Sequence, residues 1–281
     1  IDLDRHGAAE CFLINLGLVA LRYGPDPACE LRSAPQLFFE EREIELSDSA
    51  GRRYTMAGPL VHAERDTREG IALADFSRRF ALDRPALAMQ DGTLIRWSLS
   101  ALDPWVQDYF LERYLDEGLE RLAEAGIPLC SYISRPRAPE AMGLLQLIAD
   151  PTLANAGRSG KTALDSAPYR GVSDYALFAE LPRDGQRSAI FKSMSKINVE
   201  HYGHHAIHFF YLHVKSEIAR IELPAWVLEL EGAVDLIHAI AYDQAQRGGG
   251  YPVALARAHE QAVVRETDRR VFRQMVEAAL W

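Results

Sequence analysis

Short runs of apolar and aromatic residues, among them "IPLCSYIS" at 127–134 and the stretches at 205–214 and 217–223, alternate along this chain with longer amphipathic stretches. Runs of that length bounded by turn residues read as buried strands, whereas apolar residues spaced three and four apart among charges read as helices. "CFLINLGLVALRY" at 11–23 and "QLFFEEREIEL" at 36–46 read as further strands. "GPLVHAERDTREGIALADFSRRF" at 58–80 changes period, and Leu60, Val61, Ile71, Leu73 and Phe76 predict an amphipathic helix. Strands at 86–91 and 93–99 follow, then a helix from Pro104 to Ala125, with Pro at its start and Gly126 just past its end. Strands gathered early, with helices interleaved and then dominant, indicate a mixed α/β fold around one central sheet.

The second half is more interrupted. Residues 150–175 hold Pro151, Gly157, Gly160, Pro168 and Gly171 with little periodicity, which predicts a long loop or insertion. A helical stretch near 187–200, a helix over 224–247, the break "RGGGYP" at 247–252, a helix carrying "VALARAHEQ" and a last helix from about 268 complete the reading. With 281 residues, 48% hydrophobic and 25% charged, the chain has enough apolar content for a sizeable core. A net charge of −9 argues against a generally basic nucleic-acid-coating surface while leaving room for a local basic channel. Cys11, Cys29 and Cys130 are odd in number and lack metal-site spacing, which fits a reducing cytoplasm. There is no apolar run long enough for a membrane span and no signal-peptide pattern.

Candidate chemistry starts with carboxylates. In "ALAMQDGTLIRWSL", Asp91-Gly92 reads either as a tight hairpin turn or as a metal-binding carboxylate at a sheet edge. Glu69 lies four residues after Arg65 on the preceding helix, where it is either a solvated partner of that arginine or a second ligand. The histidines of "EHYGHHAIHFFYLH" (His201, His204, His205, His208 and His213) match no metal spacing and read as structural, whereas His259 lies on a short helix after a glycine-rich break. "CSYISRPRA" places Tyr132, Ser134, Arg135 and Arg137 at a strand exit that is either ordinary or phosphate-facing. Lys192 and Lys196, four apart beside Arg187, suggest a basic strip on one helical face. A P-loop, a nucleophile elbow, a dinucleotide fingerprint and a CxxC pair are all absent.

Taken in order, "CFLINLGLVALRYG", "MQDGTLIRW", "SYISRPR", "HFFYLHV", "IARIELPAW" and "GYPVALARAHEQAVV" resemble the NurA nuclease family over nearly the whole chain. The resemblance implies one nuclease domain over residues 1–281 with an RNase H-like core. It implies manganese-dependent DNA cleavage (Mg²⁺ being an alternative ion) by 5′ to 3′ exonuclease and single-strand endonuclease action. It further implies a homodimer acting on single-stranded and end-containing DNA with a hexameric HerA-type ATPase in end resection and repair. Asp91 matches the family's second catalytic Asp, and Glu69, twenty-two residues earlier, fits its Arg-x-x-x-Glu helix. His259 and Tyr132 match the His of the "AH" block and the Tyr of the "YI(K/S)RP" block. On this reading Asp91, Glu69 and His259 hold metal, Tyr132 joins them in catalysis, and Arg135, Arg137, Lys192 and Lys196 contact DNA.

One departure matters. The family opens on a strand ending in Asp-Gly-Ser, whose Asp is the first metal ligand, and here the text begins "IDLDRHGAAECFLINLG". The motif is expected upstream of Ile1, on a strand pairing with 11–23; otherwise Asp2 or Asp4 stands in. Two rival readings follow: a catalytically inactive adaptor of a HerA-like motor, and an RNase H-like enzyme cutting RNA or hybrids.

Overall fold

The computed structural model describes residues 4–6, 9–80, 85–150, 171–179 and 183–279. Strands β1 (Asp4–His6), β2 (Ala9–Arg22) and β3 (Ala28–Phe38) form an antiparallel sheet in the order β1-β2-β3. After a helical turn, α1 (Glu41–Ile44), strands β4 (Glu45–Ser47) and β5 (Arg53–Thr55) make a small hairpin, and helix α2 runs over Pro59–Phe80. Strand β6 (Ala88–Asp91) precedes α3 (Pro104–Arg113), which continues through a π-helical stretch, Tyr114–Glu120, into α4 (Arg121–Glu124). Asp103 caps α3 by accepting the Trp105 amide at 3.0 Å, with Pro104 in the first turn. Such a cap contributes about 1 kcal/mol.

Strand β7 (Leu129–Ser134), helices α5 (Glu140–Ala149) and α6 (Asp174–Ala179), strand β8 (Phe191–Lys192) and helix α7 (Lys196–His201) come next. The hairpin β9 (Ile207–Val214) and β10 (Glu217–Pro224) leads to helices α8 (Ala233–Arg247), α9 (Val253–Ala262) and α10 (Glu266–Ala279). Five strands assemble in the order β6-β7-β10-β9-β8, with β6 parallel to β7 and every other pair antiparallel. Alternation along β9 explains why helices cover both faces of this sheet. Phe210, Leu212 and Val214 pack with Ala233, Ile237, Ala241 and Ala245 of α8, while Phe209 and Tyr211 pack with Phe178 of α6 and Ala141 of α5.

The mixed α/β class is therefore correct, and several local expectations need correction. The three strands near the N-terminus are not part of the five-strand sheet; they form a sheet of their own in which β2 pairs with β1 and β3. Asp4 lies in β1, and Asp2 falls outside the described residues. Residues 93–99 do not form a strand; the chain after Asp91 bends and enters a 3₁₀ turn at Trp97–Ala101, so Asp91-Gly92 is a strand end without a hairpin. Among the described residues, the one strand that pairs with β6 is the parallel β7. The strand expected over 36–46 is broken: β3 ends at Phe38, the helical turn α1 follows, and β4 begins at Glu45. Of the expected loop at 150–175, residues 151–170 lie outside the described ones, and its end begins α6. Lys192 is on β8 and Lys196 opens α7, so they do not share a helical face. The helix expected over 224–247 splits into a 3₁₀ turn, Ala225–Glu229, and α8 after Gly232.

Candidate functional site

Sheet register builds the site. Asp91, Tyr132, Ile221 and Phe210 align across four neighbouring strands, placing Asp91 at the β6 edge on the face covered by α8. Gly92, with φ of +76°, turns the chain sharply after Asp91 and donates its amide to the Tyr132 carbonyl at 3.2 Å. On the same face the loop after α8 comes down upon β6 and β7. Tyr251 donates its hydroxyl proton to Asp91 Oδ1 at 2.6 Å, and the Tyr132 hydroxyl donates to the Gly250 carbonyl at 2.8 Å. The two tyrosine rings meet edge to face, 5.8 Å apart. Burial raises the pKa of both phenols, and for Tyr251 the Asp91 carboxylate raises it further, so both keep their protons at neutral pH.

Glu69 reaches this corner from α2. Burial pushes its carboxyl up to about 7; Arg96 and Arg65 oppose that shift, while Asp66 and Asp91 add to it. Arg65 itself bonds Asp66, at 2.7 and 3.1 Å, rather than Glu69. Behind the carboxylates lies Arg96, buried, its Nη2 donating to the Thr93 carbonyl at 2.7 Å and to the Tyr114 hydroxyl at 3.0 Å. Its guanidinium sits 4.3 Å above the Tyr114 ring centre, and Nη1 lies 3.7 Å from Asp66. Burial opposes its charge, but Tyr114, Tyr202, Asp66 and Glu69 together raise its pKa and hold it protonated. Glu69 and Asp91 thus lie close enough to act on one another's charge, with buried Arg96 the cation that acts most strongly on Glu69. Hard oxygen donors of this kind suit Mn²⁺ or Mg²⁺.

Other expected residues lie further out. His259 stands exposed on α9, which packs against β2, and makes no hydrogen bond or ion pair with another described residue. Arg135, at φ of +49°, is exposed and closes a two-pronged ion pair with Glu217 at 2.8 and 2.5 Å. Arg137 and Lys192 are exposed, and Lys196 pairs loosely with Glu200 at 3.8 Å. Arg187 faces α8, bonding Asp235 at 2.8 Å, and takes no part in a basic strip.

Among the described residues, one group of three brings metal-ligating atoms within 4.8 Å of one another, and it is a different one: Glu120, His204 and His205. His204 Nε2 and His205 Nε2 stand 2.6 and 3.0 Å from the same Glu120 oxygen. Trp226 Nε1, which can only donate, meets His205 Nδ1 at 3.2 Å and so fixes the proton of neutral His205 on Nε2. A cation there must displace that proton and break the Trp226 contact, so as arranged this is a hydrogen-bonded latch. His201, His208 and His213 stand apart from it. His201 Nε2 meets Gln107 Nε2 at 3.0 Å, and His208 Nδ1 lies 3.0 Å from the Ala206 carbonyl.

Sequence reasoning missed Tyr251, Arg96 and Asp66. The signal for Tyr251 was the run "RGGGYP" itself: a Cβ on Gly248 would stand 1.8 Å from the Tyr251 carbonyl oxygen, so the loop closes this tightly only without a side chain there. No comparable local signal marks Arg96, whose partners come from separate elements.

The family model for the NurA domain matches residues 1–264 of the 281. No curated protein and no solved structure matches the chain. No described helix is long and apolar enough to cross a membrane.

Proposed function

Because the chain belongs to the NurA family of nucleases, which processes DNA ends in association with HerA, we propose that it is a Mn²⁺- or Mg²⁺-dependent deoxyribonuclease with 5′ to 3′ exonuclease and single-strand endonuclease action, working in the cytoplasm as a homodimer beside a HerA-type ATPase hexamer. The observation that supports this most is the convergence of Glu69 and Asp91 from separate elements, with the Glu69 carboxyl raised to about 7 by burial first, and then by Asp66 and Asp91. Two carboxylates would hold the ion, joined by the first Asp that the family carries on its opening strand. When bound, such an ion supplies a water of lowered pKa and charge neutralisation at the leaving oxygen. The chain's own groups do the rest. Tyr251 fixes the rotamer of Asp91, and Tyr132 holds the loop that carries Tyr251. His259 is proposed as a further ligand or proton carrier, reached from α9 when substrate and ion are in place. Exposed Arg135, Arg137, Lys192 and Lys196 are proposed to meet the DNA backbone, with Arg135 exchanging Glu217 for phosphate. An RNase H-like core is part of the same proposal.

The test is Asp91→Ala in the full-length protein, assayed for Mn²⁺-dependent degradation of single-stranded DNA. Cleavage should disappear with the fold intact, and wild-type rates in the variant would overturn the assignment. A second reading, a catalytically inactive adaptor of a HerA-like motor, is favoured because Glu69, Asp91 and His259 do not form a ligand group among the described residues. The adaptor predicts no metal-dependent cleavage in the wild-type protein either.

A further inference from the structure

On the face of the sheet opposite Asp91, Gln90, Ser131, Glu222 and Phe209 align across the same four strands. A glutamate in that row needs an explanation, since Glu222 is 1% exposed and the cost of burying a carboxylate is several kcal/mol unless it is paired and hydrogen-bonded. Its Oε1 accepts Arg220 Nε at 2.9 Å, and Arg220, also buried, reaches Glu140 at 2.7 Å and lies 3.7 Å over the Phe209 ring. The other oxygen, Oε2, reaches across to the segment that leaves Asp91. It accepts the Leu94 amide at 2.8 Å and the Thr93 hydroxyl at 2.9 Å. That segment lacks regular secondary structure, and besides the Thr93 hydroxyl, which accepts the Ile95 amide at 3.1 Å, it is tied from the other side. The Tyr202 hydroxyl donates to the Leu94 carbonyl at 2.9 Å and accepts the Arg96 amide at 2.8 Å, and the Arg96 guanidinium binds the Thr93 carbonyl.

We propose that Glu222 is a positioning residue for the nuclease site: anchored by Arg220, it clamps residues 93 and 94 from beneath and so sets where Asp91 and Arg96 stand relative to Glu69. The inference rests on the reading of Asp91 and Glu69 as the metal-holding pair. Glu222 touches neither substrate nor ion; it acts through two bonds to the strap that joins Asp91 to Arg96. A neutral side chain of the same shape would keep one acceptor but place an amide donor against a guanidinium or against the Leu94 amide, so one end of the clamp must open.

The experiment compares Glu222→Gln, Thr93→Val and Asp91→Asn with wild type in the full-length protein. Three readouts are used: Mn²⁺ binding by calorimetry without DNA, kcat and KM on a single-stranded oligonucleotide, and hydrogen exchange of the peptide spanning residues 92–97. Glu222→Gln should weaken Mn²⁺ binding about tenfold, lower kcat by a similar factor at unchanged KM, and speed exchange in that peptide. Thr93→Val, which leaves Glu222 and Arg220 intact, should show the same pattern at a few-fold. A folded Glu222→Gln protein with Mn²⁺ affinity and kcat within twofold of wild type overturns the proposal while Asp91→Asn is inactive. If Glu222→Gln does not fold, Thr93→Val decides by the same criteria. Full cleavage by Asp91→Asn overturns the reading of the site itself, and this proposal with it.

Discussion

The Tyr251 hydroxyl donates a 2.6 Å hydrogen bond to Asp91 Oδ1 between residues 160 positions apart in the chain. It is the contact through which the glycine-rich loop after α8 reaches the β6 edge, and it holds the Asp91 carboxylate in one rotamer. Removing the hydroxyl alone tests its worth. Tyr251→Phe should cost about 1–2 kcal/mol of stability, as expected for a hydrogen bond to a charged group. Metal-dependent cleavage should fall about tenfold as Asp91 becomes free to rotate. Thermal melts and cleavage rates at saturating Mn²⁺ check both, and unchanged rates would reduce Tyr251 to a packing residue.

Gly248 makes a sharper structural test. A methyl group there would meet the Tyr251 carbonyl oxygen at 1.8 Å, a contact that backbone movement alone relieves. Gly248→Ala should therefore destabilise the protein by about 1–3 kcal/mol, the usual range for overpacking. It should also withdraw Tyr251 from Asp91, so that Tyr251→Phe added to Gly248→Ala costs little further activity.

The proton on Glu69 carries a pH dependence of known sign. Its carboxyl titrates near 7 in the folded chain against 4.5 for the unfolded reference, so between those values the folded state binds the extra proton. In chelator, the stability contributed by this group is complete below pH 4.5 and is lost as pH rises through about 7. Glu69→Gln should flatten the fall in melting temperature between pH 5 and pH 8. A wild-type slope retained in the variant would show that another group is responsible.

How much of this was readable in the sequence follows from the range of the forces involved. Asp91 as the end of a buried strand was legible because an apolar run, an Asp and a Gly are local signals. The hairpin that the same Asp-Gly suggested does not form: the strand that pairs with β6 is β7, more than thirty residues on, and pairing across that distance leaves no mark at the turn. The pairing of Glu69 with Arg65 was a sound local expectation that Asp66, adjacent to Arg65, displaced. Likewise Lys192 and Lys196 are one helical turn apart only if a helix includes both, and pairing of β8 with β9 overrides that periodicity. Tyr251, Arg96 and Glu222 act through partners on distant elements, so tertiary register alone shows them.

The latch of Glu120, His204 and His205 yields the last prediction. His205 is buried and accepts the Trp226 indole proton on Nδ1, so its Nε2–H points at Glu120. Burial, and then the neighbouring His204, hold its pKa down to about 4, although Glu120 and Asp116 pull the other way. The folded chain thus keeps His205 neutral in a range where the unfolded chain, titrating near 6.5, takes up a proton. Stability from this group is complete above pH 6.5 and falls as the pH drops toward 4, by at most about 1.4 kcal/mol per pH unit. His205→Gln should remove that acid slope between pH 6.5 and pH 4 while leaving stability at pH 8 lower by about 1 kcal/mol through the lost Glu120 and Trp226 contacts. Zn²⁺ added to the wild-type protein at pH 7 separates latch from metal centre. With Nδ1 accepting from Trp226, the ion must break that contact to bind, so no stabilisation is expected at micromolar Zn²⁺, and indole fluorescence from Trp226 should not change. Tight Zn²⁺ binding lost in His205→Gln, with an altered Trp226 signal, would make the cluster a metal site after all.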